Sequence, residues 1–303
     1  MRVSILLAMF LAATVPALRA DERTQILAEV LSREADAFRR IAPDLVGQET
    51  LFQRAIKPPK GGFHIRVGAS AQKAPEPVWQ ERHILSEYSF GAFAGEGGAL
   101  HELRRVTSVD GRTLQDSRKA QEELAAIVMA PDDKRKKELL EQFEKYGLVG
   151  AVTDFGQLLL LFNSRDVMHY EFTYRRVEMQ GMARILVFGY QQIDGPEGLT
   201  VINARGGGSA QNVRISGEVW VRENTFVPVR VTLATSQGEG PQMVRQEASV
   251  DYTASPFGAL LPLWTEHREL RGGKVDVENK FSYAEFHKFG AASQINFGAP
   301  NSK

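Results

Sequence analysis

Apolar and polar residues follow two different periods along the chain, which divide it into helical and extended parts. Between residues 21 and 42 apolar side chains recur every three or four positions, as in an amphipathic helix that Pro43 ends. The middle of the chain is rich in Ala, Glu, Lys, Gln and Leu, which are strong helix formers. It predicts three helical pieces, at about 115–130, 132–146 and 153–163.

From Asp166 onward the period is two, which is typical of strands with one covered face. In the clearest strand, Met168, Tyr170, Phe172 and Tyr174 alternate with polar residues. Further strands are predicted at about 182–191, 212–222, 226–235, 243–253, 260–270 and 274–284. Before the helical segment we predict strands at 79–93 and 100–109 and a short strand-like stretch at 63–67.

Consecutive strands joined by short turns, without helices between them, predict an antiparallel sheet. We therefore expect an α+β fold, in which a large, curved antiparallel β-sheet forms an open half-barrel and helices pack on its concave face. The pattern predicts a single exported domain over residues 21–303, with the helical segment at about 115–163.

The first 20 residues have the features of a secretory signal peptide. Arg2 precedes an apolar run from Ile5 to Ala13, which is too short to span a bilayer, and small residues follow. Cleavage is expected after Ala20, with Ala17 as the alternative. Because no later apolar stretch is long enough to cross a membrane, we expect a soluble protein without an integral membrane segment, exported to the periplasm or the extracellular space.

Composition argues against several classes of function. Charge is balanced, with 37 basic and 37 acidic residues, and nucleic acid is disfavoured as a partner because it needs a concentrated basic surface. The absence of cysteine excludes disulfides, a thiol nucleophile and a lipid-modified cysteine. The six histidines include no pair at helical metal-ligand spacing, so we expect neither metal nor cofactor. No serine motif and no distinct carboxylate pair indicates an enzyme.

Large apolar and aromatic side chains are concentrated on one face of the predicted strands. Two ways of covering this face are open: the helices pack on it as an ordinary core, or they leave a hydrophobic cavity that takes an acyl chain. Tyrosine and tryptophan at the mouth of such a cavity would offer polar groups to an amphipathic ligand. The candidate lining residues are Met168, Tyr170, Phe172, Tyr174, Leu186, Phe188, Tyr190, Trp220 and Trp264.

Three stretches resemble the LolA/LolB-like superfamily, which includes periplasmic lipoprotein carriers and the amino-terminal domain of an envelope-stress regulator. They are residues 170–188 with the turn Asp194-Gly195-Pro196, the hairpin 217–231 that contains Trp220, and the terminal strand 281–290. The resemblance covers residues 166–289, and the chain departs from the carriers in its greater length and its large helical insertion. It implies an open, curved sheet wrapped around helices, and a hydrophobic cavity in place of catalytic residues.

These observations predict non-enzymatic binding or carriage of a hydrophobic or amphipathic envelope ligand, such as a lipid or a lipoprotein acyl chain, in a cavity between sheet and helices. The alternative is a protein-interaction or sensor module of the cell envelope with a solid core. Its partners would be envelope proteins, and its working surface an exposed apolar patch or sheet edge.

Overall fold

The computed structural model describes residues 20–57, 77–148, 154–195, 199–201, 211–240 and 243–289. The apolar run of the predicted signal peptide and the strand-like stretch 63–67 lie outside these residues. The predictions made for them therefore stay predictions.

The described residues form three α-helices and thirteen strands. The helices are α1 (Ala20–Ile41), α2 (Ser117–Val128) and α3 (Asp133–Tyr146). The strands are β1 (Leu45–Ile56), β2 (Trp79–Phe93), β3 (Ala99–Val109), β4 (Arg112–Thr113), β5 (Tyr170–Gln180), β6 (Ala183–Gln192), β7 (Leu199–Val201), β8 (Gln211–Val213), β9 (Ser216–Arg222), β10 (Pro228–Gln237), β11 (Val244–Ala254), β12 (Leu260–Arg271) and β13 (Lys274–Lys288).

Eleven of these strands make one open antiparallel sheet in the order β4-β3-β2-β1-β13-β12-β11-β10-β9-β6-β5. Most neighbours are consecutive in the chain, as expected for strands joined by hairpins. The exception at the centre is β1, which pairs with β13, so the first and the last described strands meet in the middle of the sheet. The fold class is thus confirmed: an α+β protein with a curved, unclosed sheet.

Helix α1 fills the concave face of the sheet along the predicted apolar stripe. Leu27, Leu31, Ala35 and Phe38 recur at helical spacing and are completely buried in the main core. The helix ends at Ile41, directly before a 3-10 turn that contains Pro43. Its position therefore follows from burial of one stripe against the strands.

Strand β1 was not predicted, although it lies between β2 and β13 in the centre of the sheet. Its concave-facing residues include Glu49, Leu51 and Gln53, all of which are 1 % exposed or less. Because two of these three are polar, the strand lacks the alternation of apolar residues that marks half-buried strands.

The predicted middle helices correspond to α2 and α3. The side chains of Asp116 and Asp132 cap them by accepting hydrogen bonds from backbone N–H groups of the first turn. The expectation that the helices pack on the concave face holds for α1 but not for α2, which covers the opposite face of β2. Glu87 accepts a hydrogen bond from Gln121 of α2 (2.8 Å), whereas the next residue, Tyr88, lies in the core with α1.

The third predicted helix, at 153–163, is replaced by one 3-10 turn at Leu158–Phe162. One reason is visible at Leu159, whose backbone N–H donates to the hydroxyl of Tyr252 (2.9 Å) instead of to a carbonyl of its own segment. A tertiary hydrogen bond thus replaces a helical one.

Candidate ligand-binding site

Six of the nine predicted lining residues share one concave-side cluster, which we call the aromatic face. They are Tyr170, Phe172 and Tyr174 of β5 and Leu186, Phe188 and Tyr190 of β6. The ring of Phe162 lies against this cluster, with centroids 5.0 Å from Tyr190, 5.2 Å from Tyr170 and 5.6 Å from Phe172. Edge-on and tilted contacts of this kind are favourable for aromatic pairs.

In this structure the aromatic face is occupied by the protein's own side chains. Helix α1 and the turn Leu158–Phe162 belong to the same buried cluster. Phe188 is fully buried, and Tyr190 is 3 % exposed with its hydroxyl donating to the carbonyl of Thr232 (2.7 Å). The face is therefore packed, and the predicted cavity stays a prediction that requires α1 and the turn to move.

The other three predicted lining residues lie away from this cluster. Met168 lies in a 3-10 turn before β5 and is 74 % exposed. Trp220 lies on the convex face, because its neighbours Val219 and Val221 point into the core and its ring lies between Arg176 and Arg230.

Trp264 is also on the convex face and is 38 % exposed, since the next residue, Thr265, is the one buried on the concave side. The structure thus brings six of the predicted residues together and separates the remaining three.

A half-open cleft of about 380 Å³ lies beside the aromatic face, at the C-terminal end of α1. Its apolar wall contains Leu158, Leu160 and Leu161, together with Tyr170 of the aromatic face. Its polar residues include two cations, Arg39 of α1 and Arg165 from the turn that follows Phe162, and the carboxylates Glu96 and Asp166. The cleft therefore offers an apolar wall and a charged rim in one place.

Residues 154–162 form a strap that runs from the edge of β3 across the concave face to the cleft. At its start, the carboxylate of Asp154 accepts from the backbone N–H of Glu102 (2.8 Å), and its second oxygen lies 2.9 Å from Nδ1 of His101. Gln157 donates to the carbonyl of Leu100 (2.8 Å). These side chains satisfy backbone groups along a strand edge that β4 pairs only at Ser108 and Val109.

Further along, the strap is fixed to the far strands. Phe155 stacks on His267 of β12, with centroids 4.5 Å apart and an interplanar angle of 18°. The hydroxyl of Tyr252 donates to the carbonyl of Gly156 (3.1 Å). A Cβ at Gly156 would lie 2.4 Å from Oε1 of Glu102, so a side chain at this position would displace the strap.

Under the start of the strap lies a buried ionic cluster of Glu49, Arg104 and Glu102. The single Nε–H of Arg104 is shared between the two carboxylate oxygens of Glu49 (2.8 and 3.0 Å), and its Nη2 donates to Glu49 (2.7 Å) and Glu102 (2.6 Å). Burial raises the pKa of Glu49, and the guanidinium of Arg104 partly offsets this effect. The three side chains pair the charges that are buried in one half of the sheet. None of them is exposed, so the cluster offers no reactive group to a ligand.

Two histidines near the strap have opposite protonation. The hydrogen bond to Asp154 raises the pKa of His101 to about 9, with a further contribution from Glu96. Burial lowers the pKa of His267 to about 3. Because Asn279 donates from Nδ2 to Nδ1 of His267, the ring proton is on Nε2 and donates to Gln246 (2.6 Å). His267 is thus a neutral support for Phe155.

The described residues contain no group of three or more His, Asp or Glu side chains that could hold a metal ion. Among the described helices, none is long and apolar enough to cross a membrane.

Sequence reasoning missed the ionic cluster and the strap. His101-Glu102 begins like a zinc motif in the sequence, but no second histidine follows at the required spacing. In the structure they tie the strap to β3. No local signal marks this role, because Asp154 reaches His101 and Glu102, and Glu49 reaches Arg104, from distant positions in the chain.

Comparison with known proteins gives likenesses in structure alone. No protein-family model matches the chain, and no curated protein sequence matches it. Similar solved structures include a putative outer membrane lipoprotein-sorting protein domain from Vibrio parahaemolyticus, with 10% identity over 88% of this chain and 94% of that chain and a TM-score of 0.37.

A DUF1329 family protein from Desulfovibrio piger matches with 8% identity over 88% of this chain and 93% of that one, at a TM-score of 0.40. A LolA superfamily protein from Nitrosomonas europaea matches with 11% identity over 86% of this chain and 93% of that one, at a TM-score of 0.34. The name of the third structure is that of the superfamily which the sequence resembles. Superpositions this loose transfer no residue, ligand or partner to this chain.

Proposed function

We propose that the protein binds an amphipathic ligand with an acyl chain, a lipid or a lipoprotein acyl chain, and that it catalyses no reaction on it. The observation that carries the proposal is the cleft at the end of α1, where an apolar leucine wall and a charged rim adjoin the aromatic face. Its volume of about 380 Å³ falls within the range of about 300 to 1,000 Å³ typical of ligand pockets.

The aromatic face supplies the room for a longer chain. The buried residues with which α1 meets the sheet, such as Leu27, Leu31 and Phe38, are apolar. An acyl chain that displaces them exchanges one apolar contact for another, so the exchange costs little of the hydrophobic free energy that covers the face. The ligand enters at the cleft and extends along β5 and β6 beneath α1.

We place this binding outside the cytoplasm, in the periplasm or the extracellular space. The support is the signal-peptide pattern of the first 20 residues. An exported carrier would keep acyl chains out of water in a compartment where the free chain is insoluble.

The test is native mass spectrometry of the chain purified from an exporting host, alone and after addition of envelope lipids. Bound lipid at a defined stoichiometry is the expected result. Leu161→Asp, which places a charge on the cleft wall, should abolish it because a carboxylate disfavours the apolar chain. The matched control is Leu263→Asp, at a leucine that is 50 % exposed where β12 bulges, and it should keep the lipid.

Both variants must fold, which circular dichroism and the thermal midpoint establish. A clean apo mass that lipids leave unchanged would refute the proposal. Equal loss of lipid in both variants would show that the cleft is not the binding site.

A second candidate is a protein-interaction module, and an exposed apolar patch favours it. Met179 and Met182, at the tip of the β5–β6 hairpin, are 61 % and 98 % exposed at the edge of the sheet. Two results together would favour this function. The purified protein would bind no lipid, and an envelope protein that it retains in a pull-down would no longer be retained by the Met182→Ser variant.

A further inference from the structure

The rim of the cleft holds two guanidinium groups without an ion-pair partner among the described residues. Arg39 extends from the last turn of α1 over the Gly97-Gly98 turn, where a Cβ on Gly98 would lie 3.9 Å from its Nη2. Arg165 reaches the same cleft from the turn after Phe162. Two cations that are 126 positions apart in the chain thus line one opening.

The carboxylates of the rim are already engaged. Oε2 of Glu96 lies 2.8 Å from Nε2 of His101, whose pKa near 9 keeps it protonated at neutral pH. Asp166 accepts from the side-chain amide of Asn163 (2.8 Å). Among the described residues, the charged groups of the cleft without an ion-pair partner are thus Arg39, Arg165 and Asp166, so the two cations outnumber the one carboxylate, and the imidazole of His169 lies beside them.

Helix electrostatics alone does not account for this arrangement. A cation in the last turn of a helix interacts favourably with the helix dipole, and Arg39 has that benefit. Arg40 in the same turn has it too, yet only Arg39 lines the cleft. Arg165 lies outside any helix, so a favourable interaction with a helix dipole does not explain its position at the cleft.

We propose that the rim recognises an anionic headgroup, a phosphate or a carboxylate, at the end of the acyl chain. This inference rests on the proposed function and names the class of its ligand. Planar guanidinium groups match such oxyanions with paired N–H donors, and charge-assisted hydrogen bonds of this kind are stronger than neutral ones. Leu158, Leu160 and Leu161 then contact the first part of the chain, immediately below the headgroup.

The experiment compares two ligands that share a chain and differ in the headgroup. Palmitoyl lysophosphatidylglycerol carries a phosphate, whereas monopalmitoylglycerol is uncharged. Calorimetric titration below the micelle concentrations gives both dissociation constants, and inorganic phosphate is titrated separately as a headgroup without a chain. We expect the anionic lipid to bind more tightly, and its affinity to fall as salt rises.

Arg39→Gln and Arg165→Gln remove one cation each and keep a polar side chain. Each should weaken binding of the lysophosphatidylglycerol about 10-fold and leave that of monopalmitoylglycerol unchanged. Arg40→Gln is the matched control, since it removes a neighbouring cation of the same helical turn that does not line the cleft. It should bind both ligands like the parent protein.

The outcomes separate the two proposals. Equal affinity for both lipids, unchanged in the two variants, would overturn the headgroup inference and leave acyl-chain binding standing. Failure of both lipids to bind would refute the proposed function itself. Phosphate that binds as tightly as the lipid would show that the site takes a free anion, and would overturn its assignment to a lipid headgroup.

Discussion

Arg104 is the residue whose loss should cost the fold most, because it neutralises two carboxylates that have no access to water. The side chains of Glu49 and Glu102 are 0% and 1% exposed, and Arg104 itself is 1% exposed. Arg104→Met keeps most of the volume and removes the charge. Breaking a buried ion pair by removing one partner costs about 3 to 5 kcal/mol, a large part of the 5 to 15 kcal/mol that typically stabilises a protein.

The cost should depend on pH. Burial already raises the pKa of Glu49, and removing the guanidinium takes away the interaction that lowers it. A group whose pKa is raised by folding loses stability as pH rises through that pKa, so the deficit of the variant should grow from acidic to neutral pH. Urea denaturation followed by circular dichroism at pH 5 and pH 8 measures both values.

Two further variants test the reasoning. Arg105→Met removes the neighbouring arginine, which points to α2 and α3, pairs with Glu123 and is 25% exposed; it should cost about 1 kcal/mol or less. Glu49→Leu added to Arg104→Met removes one unpaired carboxylate, so the double variant should be more stable than the single one. A loss below about 1 kcal/mol for Arg104→Met, or a double variant less stable than the single, would refute the argument.

Other predictions concern the strap and the convex face. Tyr252→Phe removes the acceptor of the Leu159 N–H, so hydrogen exchange at that amide should accelerate about 10-fold or more. An unchanged exchange rate would show that this hydrogen bond does not protect the amide. His101, with its pKa raised to about 9 by Asp154, contributes stability that is complete below about pH 6.5 and lost as pH rises through 9; urea midpoints of His101→Gln that follow the parent's pH profile would contradict this. Trp264→Ala should leave lipid affinity unchanged in calorimetry, because the ring is on the convex face, and weaker binding would return it to the lining.

Periodicity predicts the parts of the fold where burial selects apolar residues on one face only. Helix α1 and strand β6 were predicted close to their bounds, and β5 was identified from the repeat of Tyr170, Phe172 and Tyr174 although it begins after Met168 and continues to Gln180. The grouping of the aromatic face follows from the same rule.

Periodicity led to the wrong face for Trp220, because the centre of its strand is apolar at both parities. In β9 the run Val219-Trp220-Val221 is apolar at both parities, and the size of the indole favoured the core although Glu218 and Arg222 share the parity of Trp220. The structure buries the two valines and leaves Trp220 between two arginines. The two charged residues at the parity of Trp220 were the signal that could have placed it on the convex face.

The rule also fails where charges point inward. Glu49 and Arg104 lie on different strands, 55 positions apart in the chain, and each alone is typical of a solvent-facing position. Both residues can be buried because their charges compensate each other together with that of Glu102. A single sequence gives no signal for such a pairing, so β1 and the ionic cluster were beyond prediction.

The strap joins two halves of the concave face that are held by different forces. At Asp154 the strap is fixed by hydrogen bonds to Glu102 and His101. These bonds are directional and form in one geometry only. At Phe162 it contacts the aromatic face through ring packing, which tolerates replacement by another apolar surface. On the proposed function, we therefore expect a ligand that competes for this face to displace the strap from its Phe162 end, next to the cleft and Arg165, while the Asp154 end stays in place.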